Sequence, residues 1–225
     1  MTRHIAFALA AGVALVAGQA MGHGDVAPQA VDTSALPEVG EEWLIENPYR
    51  AETAGEEVWA TALRIGASGY NQNCARCHGL EVVSGGLAPD LRYLEAEEYG
   101  DEWYMERFRE GYTQNGITKM PAFGDLLGQE AAWAIRTYIE TRPDDDSLSD
   151  VTPELASLRD SLIDGSADAA TAASRLAEIA VEIETFSGAP VADSAAFRAA
   201  NILKSDPAAT DAAAEVLTVG LSAAK

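Results

Sequence analysis

Cys74-Ala75-Arg76-Cys77-His78 holds both cysteines of a 225-residue chain within five positions. Two thiols at this spacing can add across the vinyl groups of a haem, and the histidine after them can turn its imidazole onto the iron. Other uses of the spacing fit less well. A thioredoxin-like redox pair opens a helix after a strand in a βαβ setting, and none is legible here. A zinc site needs four ligands, and there is no second Cys or His cluster to complete them. A plain structural disulfide is the remaining alternative. The pentapeptide therefore predicts one covalent haem c, with thioethers at Cys74 and Cys77 and with His78 on the iron.

The N-terminus reads as an export signal. Arg3 and His4 give a short positive start, Ile5 to Ala17 is apolar, and the small residues Ala20 and Gly22 mark cleavage positions. The apolar stretch falls short of the roughly 20 residues a membrane span needs. Residues 1–22 are therefore read as a signal peptide, and no later segment predicts a membrane span. A periplasmic location agrees with the motif, because haem c is attached after export in bacteria. Without residues 1–22, 14 Lys and Arg face 36 Asp and Glu, a formal charge of −22. Nucleic acid and anionic lipid are poor partners for such a surface. Proteins with basic docking patches suit it, with association that weakens as salt rises.

Outward from the motif, residues 23–55 are a polar lead with Pro28, Pro37 and Pro48 and no sustained period, expected to wrap over a surface as extended chain. Residues 56–73 predict a helix, with Val58, Ala62, Ile65 and Gly69 on one face and Glu56 and Glu57 at its start. A Gly-rich loop occupies 84–90, and a second helix is expected over 95–111. A loop with Asn115-Gly116 and Met120-Pro121 follows. A third helix, 126–141, carries a stripe of Leu127, Ala131, Ala134, Ile135, Tyr138 and Ile139. Strands have little support. Beyond Pro143 and Asp144-Asp145-Asp146 the composition shifts, and 147–225 is Ala-rich without Cys, His, Met, Trp or Tyr. Helical spacing of Leu155, Leu158 and Leu162, then of Leu176, Ile179, Ala180 and Ile183, predicts a helical extension. Ser166 or Asp168 can cap its second helix, and weaker helices are expected over 193–204 and 207–223.

The second iron ligand follows by elimination. Of three histidines, His4 lies in the signal, His23 at the new N-terminus and His78 in the motif. Among the methionines, Met105 sits in an amphipathic helical stretch and reads as core. Met120 precedes a proline, which holds it extended in a loop. A thioether opposite an imidazole favours ferrous iron and raises the potential. Met120 is thus the expected sixth ligand. The Pro89 carbonyl is the expected partner of the His78 Nδ1–H. Leu91 is expected to pack on the haem, and Arg92 either reaches a propionate or is solvated.

Cys74-x-x-Cys77-His78-Gly79, Pro89-Asp90-Leu91 and Met120-Pro121, with Gly66 and Tyr70 eight and four residues before the first cysteine, resemble the class I cytochromes c. The resemblance covers about 56–142. It implies an all-α fold around one covalent haem, in which the glycine lets the first helix cross closely against the last. The stretches His23 to Arg50, Ile65 to Glu81 and Trp133 to Thr137 are similar to the cytochromes that accept electrons from quinoprotein (PQQ-dependent) ethanol dehydrogenases. This implies a soluble periplasmic carrier, not an enzyme, with a quinoprotein dehydrogenase as donor and an oxidase or another cytochrome as acceptor. Two alternatives remain open: a permanent haem subunit docked through 147–225, and a haem sensor or peroxidase with a labile methionine.

Overall fold

The computed structural model describes residues 28–223, so the signal-peptide reading of 1–22, Met21 and His23 lie outside the described residues. Short helix α1 (Ala51–Ala54) leads into α2 (Glu56–Asn73), and α3 (Ala75–His78) is a single turn made of the motif itself. After α4 (Glu98–Glu110) come strands β1 (Tyr112–Gln114) and β2 (Ile117–Met120), then α5 (Gly124–Glu140). The C-terminal part consists of α6 (Asp145–Ser149), α7 (Thr152–Ile163), α8 (Ala169–Glu182), α9 (Ala195–Ser205) and α10 (Thr210–Ala223). The all-α expectation holds, with one departure. Asn115-Gly116 closes an antiparallel hairpin instead of an open loop. Both turn residues have positive φ, the geometry that suits the twist of a two-residue hairpin and that Asn-Gly tolerates.

Apolar residues gather in two clusters. The first joins α2, α4 and α5, and the lead contributes to it through buried Leu36 and Tyr49. At its centre α2 crosses α5, and the crossing depends on Gly66. A Cβ there would lie 1.8 Å from the Ala134 carbonyl oxygen. Beside the crossing, the rings of Tyr70 and Tyr138 stand 5.4 Å apart. The stripe expected on α5 is too narrow. Every residue from Ala131 to Glu140 is buried, including Arg136, Thr137 and Glu140, because α2, α4 and the lead pack against it and Ser187, between α8 and α9, hydrogen-bonds its last carbonyl. Gly128 breaks the helical backbone near the start of α5, so the regular helix begins after it.

The lead is fastened by charge as well as by apolar contact. Asp101, fully buried, accepts from the Asn47 N–H at 2.8 Å, from Arg50 at 2.8 Å and from Arg136 Nε at 2.8 Å. Arg50 also pairs with Glu140 at 2.9 Å, and Arg136 Nη2 donates to the Glu95 carbonyl. Burial pushes the Glu140 carboxyl above its ordinary value, against the opposing pull of Arg136 and Arg50. These interactions tie lead, α4 and α5 into one unit.

The second cluster is formed by α7 to α10, with Leu162, Leu176, Ile179, Leu203 and Leu217 at its centre. Asp168 caps α8 by accepting from the Thr171 N–H at 2.9 Å. Contacts with the first cluster include ion pairs, a backbone hydrogen bond and a ring contact. Glu81, three residues after His78, pairs with Arg142 at 2.9 Å and with Arg198 of α9 at 3.1 Å. The Ala192 N–H donates to the Thr141 carbonyl at 3.3 Å, and Tyr93 meets Phe186 edge-on at 5.5 Å. Among the described residues, no helix is long and apolar enough to cross a membrane.

Candidate haem site

The motif sits where α2 hands over to α3. Cys74 closes α2, its N–H donating to the Tyr70 carbonyl at 2.8 Å, and the following turn carries Cys77 and His78. Cys74 and Cys77 do not form a disulfide. Cys74 packs against the first cluster, and burial, with a smaller contribution from Cys77, pushes its thiol up to about 12. Cys77 is exposed. The pair thus presents one sulfur inward and one outward on a single turn.

His78 is only 8 % exposed, and its Nδ1 lies 2.9 Å from the Pro89 carbonyl oxygen. A carbonyl can only accept, so Nδ1 carries the proton and Nε2 keeps the lone pair. Nε2 has no hydrogen-bond partner among the described residues. Burial lowers the His78 pKa, while the Pro89 carbonyl and the Asp90 charge pull the other way. The ring is therefore neutral at neutral pH. A buried, oriented imidazole with an unused lone pair is what a metal ion requires. The Tyr70 hydroxyl braces the same turn by donating to the Gly79 carbonyl at 2.8 Å.

The Pro89 carbonyl is itself held in place. Asp90 accepts from the Arg92 N–H at 3.1 Å and pairs with the Arg92 guanidinium at 2.7 Å, closing a short turn that places Leu91 in the core. Arg92 was expected to be solvated or to reach a propionate. It is not solvated but buried, pairing also with Asp145 at 2.9 Å and donating to the Pro143 carbonyl at 3.2 Å. Burial pushes the Asp90 carboxyl up, but hydrogen bonds from Arg92 and its charge outweigh this and hold it below its ordinary value. A folded-state value below the unfolded one gives stability that is complete above the ordinary 3.8 and fades as pH falls through the folded value. Asp90→Asn should cost about 1–2 kcal/mol at pH 7, a figure reduced because Asp90 is partly exposed and Asp145 still holds Arg92. In urea titrations from pH 7 to pH 3, the gap between variant and parent should narrow toward the acid end.

Met120 ends β2, partly buried against the cluster that holds Cys74 and Leu91. The hairpin that carries it pairs Tyr112 with Met120, and the Phe123 N–H donates to the Phe108 carbonyl at 2.8 Å just beyond it. Gly111 permits this approach. A Cβ there would come within 2.4 Å of the Met120 carbonyl oxygen. Sequence reading missed Gly111, although a glycine directly after a helix is a visible stop signal. Leu80 and Leu87, in the segment after His78, and Ile117, in the strand of Met120, are exposed apolar side chains. Two cysteines one turn apart, an oriented imidazole, a soft thioether and these apolar faces form a donor set that fits haem c.

Residues 61–139 match the family model described as cytochrome c oxidase, cbb3-type, subunit III. The chain is 54 % identical over 122 residues to cytochrome c550 of Pseudomonas aeruginosa, covering 54 % of this chain and 82 % of that one. It is 33 % identical over 79 residues to cytochrome c6 of Euglena gracilis, covering 34 % of this chain and 88 % of that one. It is also 30 % identical over 106 residues to the quinohemoprotein alcohol dehydrogenase ADH IIB of Pseudomonas putida, covering 45 % of this chain and 14 % of that one. No solved structure matches significantly. The chain belongs to the c-type cytochromes, with the class I fold, and binds one haem c covalently.

Proposed function

We propose that this cytochrome is a soluble periplasmic carrier of single electrons, from a quinoprotein (PQQ-dependent) alcohol dehydrogenase towards an oxidase or another cytochrome. In this reading Cys74 and Cys77 hold the haem, His78 and Met120 occupy the two axial positions, and Leu91 packs on the macrocycle. When bound, the haem supplies the one-electron chemistry. The chain's own residues orient the ligands and exclude water. The observation that carries the reading is the fixed His78 ring, its Nδ1 2.9 Å from the Pro89 carbonyl and its Nε2 without a partner, on the same core as Met120. A histidine held this firmly moves little between redox states, which suits electron transfer. The partial likeness to quinohemoprotein alcohol dehydrogenases supports that class as donor.

The deciding experiment mixes the oxidised protein anaerobically with purified quinoprotein alcohol dehydrogenases and follows haem reduction. Fast reduction that slows with rising salt is expected. Reduction no faster than with an unrelated dehydrogenase removes the proposed donor. Ligation is tested separately with carbon monoxide. The reduced parent protein should not bind it at neutral pH, whereas Met120→Ala should bind it stoichiometrically. Rapid binding by the parent would favour a sensor or peroxidase instead.

A further inference from the structure

The segment from Gly79 to Asp90 carries the carbonyl that orients His78, at Pro89, yet it is mostly irregular chain with Leu80 and Leu87 exposed. Its backbone is strained close to the ligand. Glu81 and Val82 have φ of 55° and 66°, left-handed values that a β-branched valine rarely adopts. The chain also folds back tightly: a Cβ at Gly79 would lie 1.8 Å from the Val83 carbonyl oxygen. A shift at Val82 or Val83 is therefore felt at Gly79, which is bonded to His78.

Such geometry persists only where the surroundings over-determine it. Val82 is buried in the first cluster, and Glu81 is gripped from outside by two arginines. One, Arg142, is 2 % exposed and stacks 4.7 Å over the Tyr138 ring, so it is a fixed part of the haem-bearing core. The other, Arg198, lies 3.1 Å from Glu81 and belongs to α9. The far end of the segment is held in the same manner. Asp90, next to Pro89, pairs with Arg92, and Arg92 pairs with Asp145 of α6 at 2.9 Å. Ser84 ties the middle to that end, its hydroxyl donating to the Ala88 carbonyl and its N–H to Asp90 at 3.5 Å. Other contacts of the C-terminal helices, such as Ser187 on the Glu140 carbonyl and Ala192 on Thr141, leave this segment alone.

We propose that the helices beyond Pro143 are a clamp on the histidine side of the redox site. Arg198, acting through Glu81, and Asp145, acting through Arg92, are positioning residues. They keep the Pro89 carbonyl against Nδ1 of His78 and hold the imidazole still as the iron changes valence. The proposal rests on His78 as an axial ligand.

The test follows the haem-loaded full chain by nitrogen-15 NMR in the diamagnetic ferrous state. Ring protons of an imidazole on haem iron are shifted upfield by the macrocycle. Without that shift in the parent, the ligation falls and the clamp with it. With the shift present, exchange of the His78 Nδ1 proton with water tests the clamp alone. Arg198→Gln and Asp145→Asn should each speed exchange by about tenfold or more. Arg198→Lys, which keeps the charge, should restore a rate close to the parent's. Arg175→Gln breaks ion pairs to Glu154, Glu178 and Glu182 inside the C-terminal helices. Whatever it costs in stability, it should leave the exchange unchanged. Parental exchange in both Arg198→Gln and Asp145→Asn, or an equal acceleration by Arg175→Gln, overturns the proposal.

Discussion

An Asp101→Ala protein should lose about 3–5 kcal/mol of unfolding free energy, the cost of removing one partner from a buried ion pair and leaving the other charge uncompensated. Asp101 is completely buried and receives three donors, from the Asn47 backbone, Arg50 and Arg136. Arg136 is fully buried too, with Nη1 already lacking a partner, and it can reach Glu140 only at 3.9 Å. Removing Asp101 therefore strands one cation in the core and frees the lead at Asn47. Natural domains have about 5–15 kcal/mol in total, so the change takes a large share of it. Urea unfolding of the holoprotein, followed by far-UV circular dichroism, measures the loss. A loss below 1 kcal/mol would show that Glu140 takes over both arginines.

Gly66→Ala should cost about as much as severe overpacking, at or above the upper end of the usual 1–3 kcal/mol. The added carbon would sit 1.8 Å from the Ala134 carbonyl oxygen and 2.5 Å from its carbon, which are backbone atoms and cannot rotate aside. Either α2 and α5 separate, opening the first cluster, or the protein does not assemble around its haem. Haem incorporation during expression and the urea midpoint of whatever matures report the two outcomes. A variant with parental stability would mean that the helices can slide past one another freely.

Much of this architecture was legible in the residues. Periodicity located α2 to both of its ends, and the motif, Pro89 and Met120 were marked by local chemistry that needs no distant contact. What escaped prediction depends on the whole fold. Helix α5 was read as one-sided because its polar residues, Arg136, Thr137 and Glu140, break the apolar stripe. They are buried because Asn47, Arg50 and Asp101 arrive from segments 35 or more positions away to pair with them. The burial of Arg92 escaped for the same reason, its partner Asp145 lying far along the chain. The hairpin was missed because its strands carry no apolar alternation. All of its residues but Met120 are exposed.

That exposure makes the two sides of the site unequal in local stability. His78 is embedded in a turn braced by Tyr70, Pro89 and the α2–α5 crossing, so its release requires the first cluster to open. The Met120 hairpin has only strands of three and four residues and an anchor at Phe108–Phe123 beyond it. Segments with few buried contacts open at lower free energy than the body of a protein. Amide exchange should therefore be fastest at 112–120 and slowest in α2 and α5. Under stress the polypeptide would let go of the Met120 side first, while the histidine side stayed closed.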